Sequence, residues 1–93
     1  MSPAPSISGF KSLPRFERAL RKLEPDVRKQ VKETLDKLLS DSDRSGLRVK
    51  KLQGSSSIWS VRVDRNYRIS FSLNEDIAVL RNVASHDKLY GSP

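Results

Sequence analysis

Six side chains of this sequence could act together on a phosphodiester: Arg62, Arg68, Lys50, Lys51, His86 and Tyr90. Cutting RNA without a metal needs few parts. A base takes the proton from a ribose 2′-hydroxyl, an acid gives one to the departing 5′-oxygen, and cations stabilise the charge that builds on phosphorus. Imidazole changes its protonation state near neutral pH, so His86, the only histidine, suits either proton transfer. Guanidinium groups match phosphate oxygens in pairs, which fits Arg62 and Arg68. Tyr90 can donate a proton or stack on a base, and Lys50 and Lys51 can hold phosphates. A serine triad fits less well. Ser85, His86 and Asp87 are chain neighbours, and no nucleophile-elbow pattern surrounds the serine. Each residue also has a plainer reading. A lone histidine in such a segment is commonly just exposed, Tyr90 can plug the core, and Arg65 can simply be solvated.

The stretch Trp59–Leu73 must position the arginines. Trp59, Val61 and Val63 occupy alternate positions, and after Asp64-Arg65-Asn66 the alternation restarts with Tyr67, Ile69, Phe71 and Leu73. A period of two marks strands with one buried face, and the short Asp/Asn break marks a hairpin. Trp59 and Tyr67 are in phase with the core. Ser60, Arg62, Arg68, Ser70 and Ser72 share the other face, which is expected to stand open.

Around this hairpin the chain reads as (β)ααβββ. Residues 1–5 form a Pro/Ser/Ala-rich tail, 6–90 a single domain and 91–93 a second tail. Ser6–Lys11 could be an edge strand. Ser12 with Pro14 signals a helix start, and Phe16, Ala19, Leu20 and Leu23 make one apolar stripe. Pro25 opens a second helix with Val27, Val31, Thr34, Leu35 and Leu38 inward. Ser40–Gly46 is a polar loop, Leu47–Leu52 is extended or a short turn, and residues 54–57 form a Gly/Ser stretch. Asn74-Glu75-Asp76 is a second turn, followed by a third strand at Ile77–Val83. The fold class expected is α+β: a small antiparallel sheet of three to four strands packed on an N-terminal α-hairpin.

Composition narrows the function classes. The 93 residues contain no cysteine, which excludes disulfides and thiolate metal sites, and one histidine has no zinc-type spacing around it. No apolar run is long enough to span a membrane, and no signal-peptide order is visible, so the expected location is the cytoplasm. Net charge is +7; from Arg44 to Phe71 there are seven basic residues (Arg44, Arg48, Lys50, Lys51, Arg62, Arg65, Arg68) against Asp64 alone. Such clustering is the footprint of a polyanion partner, most often nucleic acid.

The segments Val49-Lys50-Lys51-Leu52-Gln53-Gly54, Trp59-Ser60-Val61-Arg62-Val63, Tyr67-Arg68-Ile69-Ser70-Phe71 and Val83 through Tyr90 occur in an order that resembles the RelE/ParE toxin superfamily of type II toxin–antitoxin modules, particularly its RelE-, YoeB- and YafQ-like members. The resemblance spans roughly Phe10 to Tyr90. It implies a RelE-like microbial ribonuclease-type fold. It also implies a ribosome-dependent endoribonuclease that cuts mRNA in the A site by metal-independent transesterification and so inhibits translation. A separate cognate antitoxin protein would neutralise it, and no cofactor, metal or membrane is involved. By the same resemblance Arg68 supports the phosphate, Arg62 is the basic residue of the preceding strand, His86 is the principal proton-transfer group and Tyr90 an auxiliary acid. Lys50 and Lys51 bind RNA, with Arg48 and Arg65 in the same basic segment. The chain departs from the pattern in places. Ser60 stands where RelE has a lysine, and Lys50 or Lys51 lies near a glutamate of YoeB. A further histidine and aspartate of YafQ have no match, which leaves acid and base unassigned between His86 and Tyr90. Two other functions fit the same fold: a ParE-like inhibitor that binds gyrase, and a catalytically inactive basic binding domain.

Overall fold

The computed structural model describes residues 6–39, 48–52 and 57–93. The expected tail at 1–5, the polar loop at 40–46 and Gly54–Ser56 lie outside the described residues. The elements are β1 (Gly9–Ser12), α1 (Pro14–Arg21), α2 (Pro25–Leu38), β2 (Lys50–Lys51), β3 (Ile58–Arg62), β4 (Tyr67–Asn74), β5 (Ile77–Ser85) and α3 (His86–Gly91). Among the described residues no helix is long and apolar enough to cross a membrane.

The hairpin forms where the alternation breaks. The Asp64 carboxylate accepts from the backbone N–H groups of Asn66 and Tyr67, both at 2.8 Å. This Asx-type closure lets a short polar segment reverse the chain. Val63 N–H donates to Tyr67 C=O at 3.0 Å and begins the ladder. The second turn leaves Asn74 opposite Ile77, with Glu75 at φ 57°. Ser8 fastens to this turn, its N–H donating to Asp76 C=O at 2.9 Å and its hydroxyl to the Asp76 carboxylate at 2.6 Å.

The α+β arrangement read from the sequence is present, with three differences. The sheet has five strands rather than three or four, in the order β1-β5-β4-β3-β2. The basic segment at Lys50–Lys51 pairs with β3 as a short edge strand. The sheet is mixed, not wholly antiparallel, because β1 runs parallel to β5. The α-hairpin carries the chain away from β1, and the meander then returns to lie beside it. Ser12 is not a helix cap, since it is the last residue of β1 and the cap position is Leu13.

The α-hairpin covers one face of the sheet. Phe16, Val31 and Leu38 pack with Val61, Ile69, Phe71, Leu80 and Val83, all buried. Burying each such side chain contributes about 1.5–3 kcal/mol, which makes this layer the main source of stability. Trp59, Val63 and Leu73 are only partly buried at its margin, because they lie nearer the ends of their strands. Thr34 satisfies its hydroxyl within α2, donating to Gln30 C=O at 2.8 Å.

The opposite face is not open as expected. Ser60 and Ser70 are fully buried, and Asn82 nearly so. The chain continues past β5 into α3, which packs on β4 and β5 with Leu89 fully buried. Leu52 and Leu89 are buried without belonging to the helix-side core. The apolar Leu89 draws this segment onto the sheet, while His86 within it is exposed.

Candidate active site

The register brings the two strand arginines face to face. Arg62 on β3 is the direct cross-strand partner of Arg68 on β4, and Arg68 is paired in turn with Ala84 on β5. Like charges directly opposite each other destabilise a sheet. Among the described residues no carboxylate forms an ion pair with either. Arg62 Nε donates to the backbone C=O of Asp64 at 3.3 Å, while Arg68 Nη1 is buried with no hydrogen-bond partner. Such a pair is electrostatically incomplete without an anion.

His86 and Tyr90 stand at the same end of the sheet. The His86 N–H donates to Asn66 C=O at 2.8 Å, which ties the first residue of α3 to the hairpin loop beside Arg62 and Arg68. One turn later Tyr90 meets the imidazole edge to face, with ring centroids 4.4 Å apart and planes at 79°. Both side chains are exposed, and neither plugs the core. Asp87 Oδ1 lies 3.4 Å from His86 Nδ1, a weak contact between two exposed side chains. Exposed proton-transfer groups beside half-buried guanidiniums are the combination that phosphodiester cleavage requires.

The remaining basic candidates separate. Lys50 pairs with Ser60, in the row Lys50–Ser60–Ser70–Asn82, on the same face as the arginines. Lys51 falls on the other face, its Nζ 5.3 Å from the centre of the Trp59 ring. Adjacent strand residues point to opposite sides, so the two lysines cannot serve one surface. Arg65 is exposed in the hairpin loop, and Arg48 is exposed ahead of β2 at φ 53°. Tyr67, expected in the core, is half-buried and lines a cleft at the edge of β5. Among the described residues no group of three His, Asp or Glu side chains gathers that could hold a metal ion.

One cation of this face was missed in the sequence. Ser70 pairs with Asn82 and Phe71 with Leu80, so Arg81 is the extra residue of a β-bulge. It is half-buried, and its Nε is buried without a partner, as are the hydroxyls of Ser60 and Ser70. The signal was there: the apolar phase runs Ala78, Leu80, then slips by one to Val83, with Arg81 at the slip.

No family model matches this chain, and no curated protein does. Solved structures do. A chain of the RelB–RelE antitoxin–toxin complex from Methanococcus jannaschii superposes with a TM-score of 0.71 at 25% identity, covering 89% of this chain and 99% of that one. The DinJ–YafQ toxin–antitoxin complex of E. coli gives 0.72 at 13% identity, covering 88% and 96%. The intact E. coli RelBE toxin–antitoxin complex gives 0.66 at 20%, covering 84% and 95%.

Proposed function

We propose, for a chain that shares the fold of the RelE-like toxins, the role of toxin in a toxin–antitoxin pair: an endoribonuclease that cuts mRNA on the ribosome in the cytoplasm and stops translation. The structural neighbours that support the toxin role are components of toxin–antitoxin complexes. The observation that carries the nuclease reading is the cross-strand Arg62–Arg68 pair, uncompensated by any carboxylate among the described residues, beside an exposed histidine and tyrosine in edge-to-face contact.

In this reading the phosphate to be cut rests on Arg68, which is half-buried and fixed by its strand position, with Arg62 as the second cation. His86 Nε2 takes the 2′-hydroxyl proton, the 2′-oxygen attacks phosphorus, and the 5′-oxygen leaves with a proton from Tyr90. The products are a 2′,3′-cyclic phosphate and a free 5′-hydroxyl, and no water is consumed. The reverse assignment of acid and base is chemically equivalent in balance. Lys50 extends the cationic face along the strand, and Arg65 and Arg48 add unspecific attraction at its margins. A separate antitoxin, acidic where it covers these cations, would switch the activity off.

Induction of the wild type beside Arg68→Ala and His86→Ala, with primer extension on a translated message, tests this reading. Growth arrest with in-frame cleavage that both substitutions abolish at equal protein level is the expected result. Arrest that persists in both variants without cleavage would move the weight to gyrase or another protein target.

A further inference from the structure

A cleft of about 410 Å³ opens at the outer edge of β5, apart from the Arg62–Arg68 pair. It exists because β1 pairs with β5 only as far as Leu80, while β5 continues to Ser85. Beyond Leu80 that edge has no strand beside it, and α1 and α3 form the two walls. Arg18 and Lys22 stand on the α1 wall one helical turn apart, and Lys88 stands on the α3 wall. Among the described residues none of the three side chains makes an ion pair or a hydrogen bond. Arg15, at the same rim, is already occupied by Pro93 C=O at 3.1 Å and by Ser92. Between the walls the lining is mixed: Ala19, Leu23, Val83 and the half-buried Tyr67, with Asn82 and Ser85.

We propose that this cleft is a second RNA subsite, which takes the base and phosphate of a nucleotide flanking the bond that is cut. The proposal rests on the nuclease reading and extends it to a surface outside the catalytic cluster. Two features favour a nucleotide. Cations without side-chain partners at the rim suit a phosphate, and a lining that mixes Tyr67 and aliphatic groups with Asn82 and Ser85 suits a planar base with polar edges, whereas a run of carboxylates would use only the rim. Continuity of the chain favours the strand being cut. Tyr67 precedes Arg68, Ser85 precedes His86, and Lys88 lies between His86 and Tyr90 on α3. Tyr67 and Arg68 point to opposite sides of the sheet, and α3, which carries both Lys88 and His86, is the element that joins the two sites.

The test is fluorescence anisotropy with a labelled 2′-O-methyl hexanucleotide, which lacks the attacking hydroxyl and cannot be cut. Arg18→Gln with Lys22→Gln is compared with Lys29→Gln plus Lys32→Gln, an exposed pair on α2 that removes the same charge. The expected result is a loss of about tenfold for the first pair and less than about twofold for the second. The slope of log affinity against log salt should fall by about 1.4, as two lost phosphate contacts on a single strand require. Equal losses for the two pairs, or none for either, would overturn the subsite. So would a loss confined to co-sedimentation with ribosomes, which would assign the cations to structural RNA. The nuclease reading fails separately: binding that depends on Arg18 and Lys22, in a chain that cuts no RNA, would sink catalysis and leave the cleft.

Discussion

The two faces of the sheet are built on opposite terms. Under the α-hairpin, Val61, Ile69, Phe71, Leu80 and Val83 are buried apolar groups packed on Phe16, Val31 and Leu38. On the other face, the strands bury Ser60 and Ser70 with unpartnered hydroxyls, and set Arg62 against Arg68 with an unpartnered Nη1. The first face lowers the free energy of the fold. The second keeps polar groups in positions that cost about 1–3 kcal/mol each when no partner is present. In the proposed function, RNA phosphate is the partner that the two guanidiniums of this face lack.

Substitutions on the two faces should therefore behave differently. The largest effect is expected on the helix side: Phe71→Ala removes a fully buried ring and should lower unfolding stability by about 3–5 kcal/mol in a denaturant titration. A loss below about 1 kcal/mol would mean that the apolar layer is not what holds the sheet. Leu89→Ala comes next, at about 2–4 kcal/mol. Because Leu89 seats the helix that carries His86 and Tyr90, RNA cleavage should fall with it, even at temperatures where the domain stays folded. Retained cleavage at full rate would detach α3 from the chemistry. Replacing Ser70 by Ala removes a buried hydroxyl with no partner and should raise stability by about 1 kcal/mol. Destabilisation instead would reveal a bound water or other partner on that face. A change outside both layers should be similar in size: Glu75→Gly relieves a residue at φ 57° and should stabilise by about 1 kcal/mol, seen as a raised midpoint.

The same contrast explains what the sequence disclosed. The helix-side face follows a period of two on β3 and β4 and of three to four on the helices, so its residues there were readable one by one. The two strand arginines were readable from the same alternation, which also predicts that they share a face. Four features were not. Alternation says which residues share a face but not whether it is covered, so the burial of Ser60 and Ser70 escaped. Proximity in sequence made Lys50 and Lys51 look like one unit, although strand geometry sends them to opposite sides. A one-residue bulge hid Arg81, since it interrupts the period that identifies a strand face. The parallel pairing of β1 depends on where the chain returns after four other elements, which no local pattern contains.

The most direct test is to measure RNA cleavage and unfolding free energy on the same preparation of Arg68→Ala. The face is held for function and not for stability, so cleavage should drop by about 10²–10³-fold. Unfolding stability should stay within about 0.5 kcal/mol of the wild type or rise, because a like-charge pair and an unpartnered buried group are removed together. Cleavage at the wild-type rate, or a loss of stability of several kcal/mol with cleavage falling only in proportion, would contradict the account and make Arg68 a structural residue.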